Sequence, residues 1–215
     1  MPFDVKKEFK DLYAPKPGPR LVTVPPARFI AVRGQGDPND PMGEYARAVP
    51  MLYAVIYTIK MSKMGSRAIA GFEDFVVPPL EGLWWMPGIA GVDYARKERF
   101  SWISMIRLPD FADDEVVAWA KAEALSKKDV DASLVEVFPY DEGLCVQCLH
   151  AGPYDDEPAT FDRMMSFMRE EGCRSDFSQR HHHEIYLSDP RRTGPEKLST
   201  IIRHPVSRSN TDSKC

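Results

Sequence analysis

One pattern occurs twice along this chain, and that repetition restricts the fold more than any other feature. Phe29-Ile-Ala-Val-Arg-Gly-Gln-Gly36-Asp-Pro-Asn-Asp, followed by Pro41 to Lys60, matches Cys145-Val-Gln-Cys-Leu-His-Ala-Gly152-Pro-Tyr-Asp-Asp, followed by Glu157 to Gly172. Each copy reads as a short strand, a Gly/Pro/Asp turn and a helix. Further on, Phe72-Glu-Asp-Phe-Val-Val-Pro-Pro79 matches His182-His-Glu-Ile-Tyr-Leu-Ser-Asp189, two strand-like runs stopped by turn formers. Ser104-Met-Ile-Arg-Leu-Pro109 then matches Thr200-Ile-Ile-Arg-His-Pro205. The shared order is strand, helix, strand, strand. The chain is therefore expected to be α+β, with two β-α-β-β units related by a pseudo-twofold axis.

Helical periodicity supports the reading. Tyr45, Val49, Leu52, Ile56 and Ile59 recur at three- or four-residue steps, as do Phe161, Met164, Met165 and Met168. Asp113 to Lys128 begins with acids and ends with lysines, as the helix dipole favours, and links the two halves. The run Ala132 to Phe138 alternates with period two and prepares the second unit. The expected organisation is a single domain over 27–206, with a first unit at about 27–110, a linker helix at about 111–129 and a second unit at about 132–206. Six prolines in residues 1–26 mark a lead segment laid across the domain surface, and 207–215 form a polar, mobile tail. An antiparallel sheet with its helices on one side leaves the other face open, so a ligand cleft is expected there, between the halves.

Composition narrows the partners. With 28 Lys and Arg against 32 Asp and Glu in 215 residues, and no basic stripe, the footprint that nucleic acid requires is missing. No apolar stretch spans a bilayer and no secretory leader opens the chain, which points to the cytoplasm and away from membranes. Cys145, Cys148, Cys173 and Cys215 then read as reduced thiols. Nothing in the sequence separates a monomer from a homodimer.

Glu184 is the leading site candidate. Strand alternation puts Ile185 and Leu187 on one face and His182, Glu184 and Tyr186 on the other. If the apolar pair packs on the helices, the carboxylate enters the cleft, as general base or as partner of a cationic ligand; the plain alternative is a solvent-facing strand glutamate. Trp84 and Trp85 are adjacent on an extended segment and face opposite ways, so one of them is available to stack a flat aromatic or cationic molecule beside Tyr53, Tyr57 or Trp102. The turn from His150 to Pro158 carries Tyr154, a phenol that the matching Pro38 does not require, and His150 completes the candidate lining. No metal is expected: only His181 and His183 of the His run share a face, without a third ligand at suitable spacing. Cys145 and Cys148 point to opposite faces of a strand, and dinucleotide, P-loop and GxSxG motifs are missing, so no cofactor is expected.

The segments LYAPKPGP (12–19), VPPLEGLWWM (77–86), HAGPYDDEPAT (150–160), HHEIYLSDPRRTGPEKL (182–198) and IIRHPV (201–206) resemble GyrI-like small-molecule-binding proteins, in particular the stand-alone bacterial branch. That resemblance implies a duplicated β-α-β-β fold with a groove for hydrophobic, aromatic or cationic molecules, and a glutamate of an EIYL-type strand at its base, here Glu184. Some stand-alone members are cyclopropanoid hydrolases. On that model Glu184 activates water, Tyr154 protonates the conjugated carbonyl, and Trp84 or Trp85 holds the substrate. Three readings follow: a detoxifying hydrolase, a drug-sequestering or sensing module, and an inhibitor of a large protein partner, for which nothing in the sequence advertises a surface.

Overall fold

A computed structural model describes residues 1–65, 67–89 and 92–208. The chain forms helices α1 (Val5–Glu8) and α2 (Lys10–Tyr13), strands β1 (Arg20–Val24) and β2 (Ala27–Gln35), helix α3 (Glu44–Met61), and strands β3 (Leu80–Trp85) and β4 (Ser101–Arg107). Helix α4 (Asp114–Lys128), β5 (Glu136–Tyr140), β6 (Gly143–Ala151), α5 (Glu157–Glu170), β7 (Cys173–Ser175), β8 (His182–Tyr186) and β9 (Ser199–Arg208) follow. The strands make one antiparallel sheet in the order β1-β6-β9-β8-β3-β4-β2-β5, with β7 on β9. This is the α+β, duplicated architecture expected from the repeat.

The registers fix the symmetry residue by residue. Phe29 pairs with Arg107 as Cys145 pairs with Pro205, and Gly82 pairs with Ser104 as Glu184 pairs with Ile202. The leading strands obey the same rule: Arg20 faces Gln147, and Glu136 faces Ala31. Each leading strand therefore lies against the other half, β1 on β6 and β5 on β2. The matched turns hold, since Gly36 and Gly152 both adopt positive φ, 105° and 125°, where an L side chain would be strained.

Only two residues join β1 to β2, although they lie near opposite edges of the sheet. Three peptide links reach about 11 Å at most, so the sheet must roll until its edges nearly meet. The inside of the roll carries Phe29, Ala31, Leu83, Ile103 and Met105 from the first half, and Cys145, Ile185 and Ile201 from the second. Val5, Leu12 and Tyr13 plug it. The lead segment is thus not laid over a finished surface: it supplies core side chains and an edge strand, because the inner face needs an apolar cover. A cavity of about 10 Å³ remains beside Tyr13, Phe29 and Arg203.

The long helices pack on the outer face. Asp113 caps α4 by accepting from the Val116 N–H, and Lys127 and Lys128 occupy its last turn. The α3 stripe of Leu52, Val55, Ile56 and Ile59 is fully buried against Ile30, Val32, Trp102 and Ile106. Met164 and Met168 of α5 pack on Val146, Cys148 and Ile202. Because α3 lies over β2 and β4 while α5 lies over β6 and β7, the central strands β3 and β8 run between them.

Two sequence expectations need correction. The second strand of the first unit is Leu80–Trp85, not Phe72–Pro79, where only Phe75 makes a bridge, to Phe3. Ile185 packs on the plug inside the roll rather than on the helices, so Glu184 lies on the helix side, in the groove between α3 and α5. The cleft is therefore on the same face as the helices, since the opposite face is already closed by rolling. Among the described residues no helix is long and apolar enough to cross a membrane; most of the expected tail, 209–215 with Cys215, lies outside them.

Candidate functional site

The groove floor is built from alternate residues of β3 and β8. Gly82 and Glu184 are register partners, as are Trp84 and His182, and side chains of one parity share a face. The symmetry makes Gly82 the counterpart of Glu184, in place of the Asp74 that the repeat suggests, so the pseudo-twofold axis passes between a glycine and a glutamate. A Cβ at position 82 would lie 2.5 Å from Trp84 Nε1 and 3.0 Å from the Tyr186 hydroxyl. Glycine lets both rings close over the strand there. Trp84 Nε1–H donates to the Tyr186 oxygen at 2.9 Å, which leaves the phenol proton for another acceptor.

Glu184 is only 7% exposed. His182 Nε2 lies 2.8 Å from Glu184 Oε1, and His182 Nδ1 lies 2.8 Å from His204 Nε2. Burial, and then His182, push the His204 pKa well below the ordinary histidine value. With an ionised carboxylate the two contacts run in one direction: His204 Nε2–H donates to His182 Nδ1, and His182 Nε2–H donates to Glu184. Around Glu184 stand four phenols. Tyr186 and Tyr45 are pushed up by burial and then by the Glu184 charge, and Tyr154 is raised for the same reasons to about 12. Tyr94 donates to Glu157 Oε2 at 2.5 Å. All four phenols therefore keep their protons at neutral pH.

Glu157, the first residue of α5, is fully buried. Its second oxygen, Oε1, has no hydrogen-bond partner among the described residues. Donor atoms of Glu157, His182 and Glu184 lie within 4.8 Å of one another. That spacing also fits a metal ion. In the structure His182 engages Glu184 and His204, and Tyr94 holds Glu157, within one hydrogen-bonded network.

Of the predicted residues, the structure brings together Glu184, Tyr186, Tyr154 and Trp84. Tyr154 meets Tyr186 edge-on at 5.8 Å. Trp102 lies one layer below, fully buried and touching the site through Tyr45, whose ring packs on both Trp84 and Trp102. Trp85 has the opposite parity and stacks on His181 at 4.1 Å, away from the groove. Tyr53 stands at the rim, near Asp189 and Arg191, and Tyr57, half exposed, packs on Tyr53 rather than on the site. His150 holds Thr160 and the Pro153 carbonyl, both at 2.9 Å, and so fixes the turn that carries Tyr154. Sequence reasoning missed Tyr45, read as a helix-stripe residue, Glu157, the first residue of a helix, and Tyr94, which lies in no periodic segment. His204 also escaped it, and His182, though placed on the Glu184 face, was given no role there.

The profile of the GyrI-like small molecule binding domain matches residues 18–207. The chain belongs to this family. Two crystal structures from Listeria innocua are close to it. A protein described as a hydrolase is 48% identical, with a TM-score of 0.87, covering 95% of this chain and all of that one. An uncharacterized conserved protein is 50% identical, with a TM-score of 0.90 and the same coverage. The EcmrR C-terminal domain, 12% identical with a TM-score of 0.51 over 88% of this chain and 97% of its own, shares the fold. No curated protein matches the chain. As a GyrI-like protein it is a small-molecule binder, and the groove between α3 and α5 is where its aromatic and ionisable side chains converge.

Proposed function

We propose that this GyrI-like protein binds flat, hydrophobic aromatic molecules in the groove and opens an activated cyclopropane in them by adding water, so removing a DNA-alkylating compound from the cytoplasm. The observation that carries the reading is the Glu184 carboxylate, buried at the twofold axis, oriented by His182 and ringed by protonated phenols. The description of a 48% identical Listeria protein as a hydrolase supports the reaction type.

In the proposed step Glu184 takes a proton from water, and the water oxygen bonds to the cyclopropane methylene. The ring C–C bond breaks, and its electron pair moves through the conjugated system to the carbonyl oxygen, which takes the proton of Tyr154. Glu184 then returns its proton to the Tyr154 phenolate, and the net change is addition of one water. Trp84 and Tyr45 supply the aromatic surface that holds the substrate in line. No cofactor enters.

The test is turnover of a cyclopropanoid compound, followed as its hydrated product. Glu184→Gln keeps the shape and binds, but loses roughly 10²–10⁴-fold in rate. If the wild type binds the compound and leaves it intact, the protein is a sequestering or sensing module and the enzymatic reading fails.

A further inference from the structure

Glu157 has no role in the step just described, yet it is fully buried, and one of its oxygens is unpartnered among the described residues. We infer that Glu157 and Glu184 hold one proton between them, with Glu157 as the protonated member and Glu184 as the anion. Three contacts carry this. Tyr94 donates to Glu157 Oε2, so the free Oε1 is the oxygen left to carry a hydrogen. His182 Nε2 lies 2.8 Å from Glu184 Oε1, and in the tautomer that carries its proton there the imidazole favours charge on Glu184. The Glu157 and Glu184 ligand-type oxygens lie within 4.8 Å of each other, and two carboxylates that close and that buried do not both ionise.

Among the described residues no unpaired lysine or arginine faces Glu157. From the 94–99 turn come Tyr94 and Lys97, the latter already paired with Asp155 at 2.6 Å. From β8 come His182 and Glu184, with His182 Nε2 3.9 Å from Glu157 Oε2. From β9 comes neutral His204, one ring further, and Tyr154 stands on the turn that leads into α5. Burial, and then Glu184, push the Glu157 pKa well above the usual carboxyl range.

Glu157 is therefore a positioning residue. It bears on Glu184, keeping the base a single fixed anion and confining the site to one negative charge. Its consequence for turnover rests on the hydrolase reading, but the shared proton does not.

The experiment separates them. Carbonyl-stretch infrared spectra of the intact protein at neutral pH should show a protonated carboxyl that disappears in Glu157→Gln. Thermal unfolding supplies a second readout. A carboxyl whose folded pKa is raised contributes stability below its unfolded pKa that is lost as pH rises. Glu157→Gln, neutral at every pH, should therefore gain on the wild type as pH rises above the ordinary carboxyl range. A purely structural hydrogen bond would give a pH-independent difference. Absence of the carboxyl signal overturns the proposal. So does a flat difference in melting temperature, or stoichiometric binding of zinc or manganese ions that Glu157→Gln abolishes, since the occupant of the pair would then be a cation.

Discussion

The two halves share a backbone but divide the work. On the outer face the first half places Gly34, Gly82, Trp84 and Trp102 where the second places His150, Glu184, Tyr186 and Thr200. The glycines are not gaps: a Cβ at Gly34 would lie 2.3 Å from the Trp102 ring, so each small residue is roofed by an indole. Inside the roll the contrast repeats. Ala31, Leu83 and Met105 of the first half correspond to Gln147, Ile185 and Arg203 of the second. There Arg203 binds Glu142 at 3.1 Å, Gln147 at 2.7 Å and the Leu12 carbonyl at 2.6 Å, while His183 lies between Glu142 and Glu81 at 2.8 and 3.0 Å. One half stabilises mainly by burying apolar area, and the other holds most of its buried polar groups in networks. A duplicated fold can thus supply a reactive site without losing its core, because the two demands fall on different copies.

The largest test of that division is a pair of truncations at symmetric positions. Trp102→Ala should cost about 3–5 kcal/mol in urea unfolding, through the cavity it leaves. Thr200→Ala should cost only about 1 kcal/mol, since little more than one methyl is removed and its hydroxyl makes no bond among the described residues. Equal losses would break the comparison. Next, Gly82→Ala should cost about 1–3 kcal/mol by forcing Trp84 and Tyr186 apart, and it should also change tryptophan fluorescence and weaken ligand binding.

The smallest and most gradual effect is in pH. Burial alone would raise the Glu142 pKa, but His183 and Arg203 hold it down at about 2. Its stabilising contribution is full above the unfolded carboxyl range and fades as pH falls toward about 2. Burial opposes the His183 charge, yet Glu142 and then Glu81 lift its pKa to about 9. That contribution is full below the unfolded histidine range, about 6.5, and is lost as pH rises through about 9. Melting temperature should decline on both sides, and Glu142→Gln should flatten the acid limb.

How far the sequence reveals this depends on what each residue does locally. The Gly36 and Gly152 turns were legible because a positive φ leaves a composition mark, and the helices because their apolar stripes keep period. Strand β3 was not. Gly82 weakens it as a strand, and Pro78 and Pro79 precede it, whereas they look like the end of a run beginning at Phe72. A shift of two residues in the Ser104/Thr200 match still left the faces right, since strand parity survives an even slip. The face of Glu184 was misjudged for a different reason. Which side of a sheet its own rolling will close is a property of the strand order, and no local pattern encodes it. For the same reason Glu157 and His182 looked ordinary until the two helices were set either side of β8.

The twofold axis running between Gly82 and Glu184 has one more consequence. A flat molecule lying over that axis meets the same main-chain scaffold whichever way round it enters. The fold itself offers no left or right, so the direction of docking is written entirely in side chains, with indoles toward one end and acids and imidazoles toward the other. A chain made more symmetric there would not simply bind less; it would lose its sense of direction.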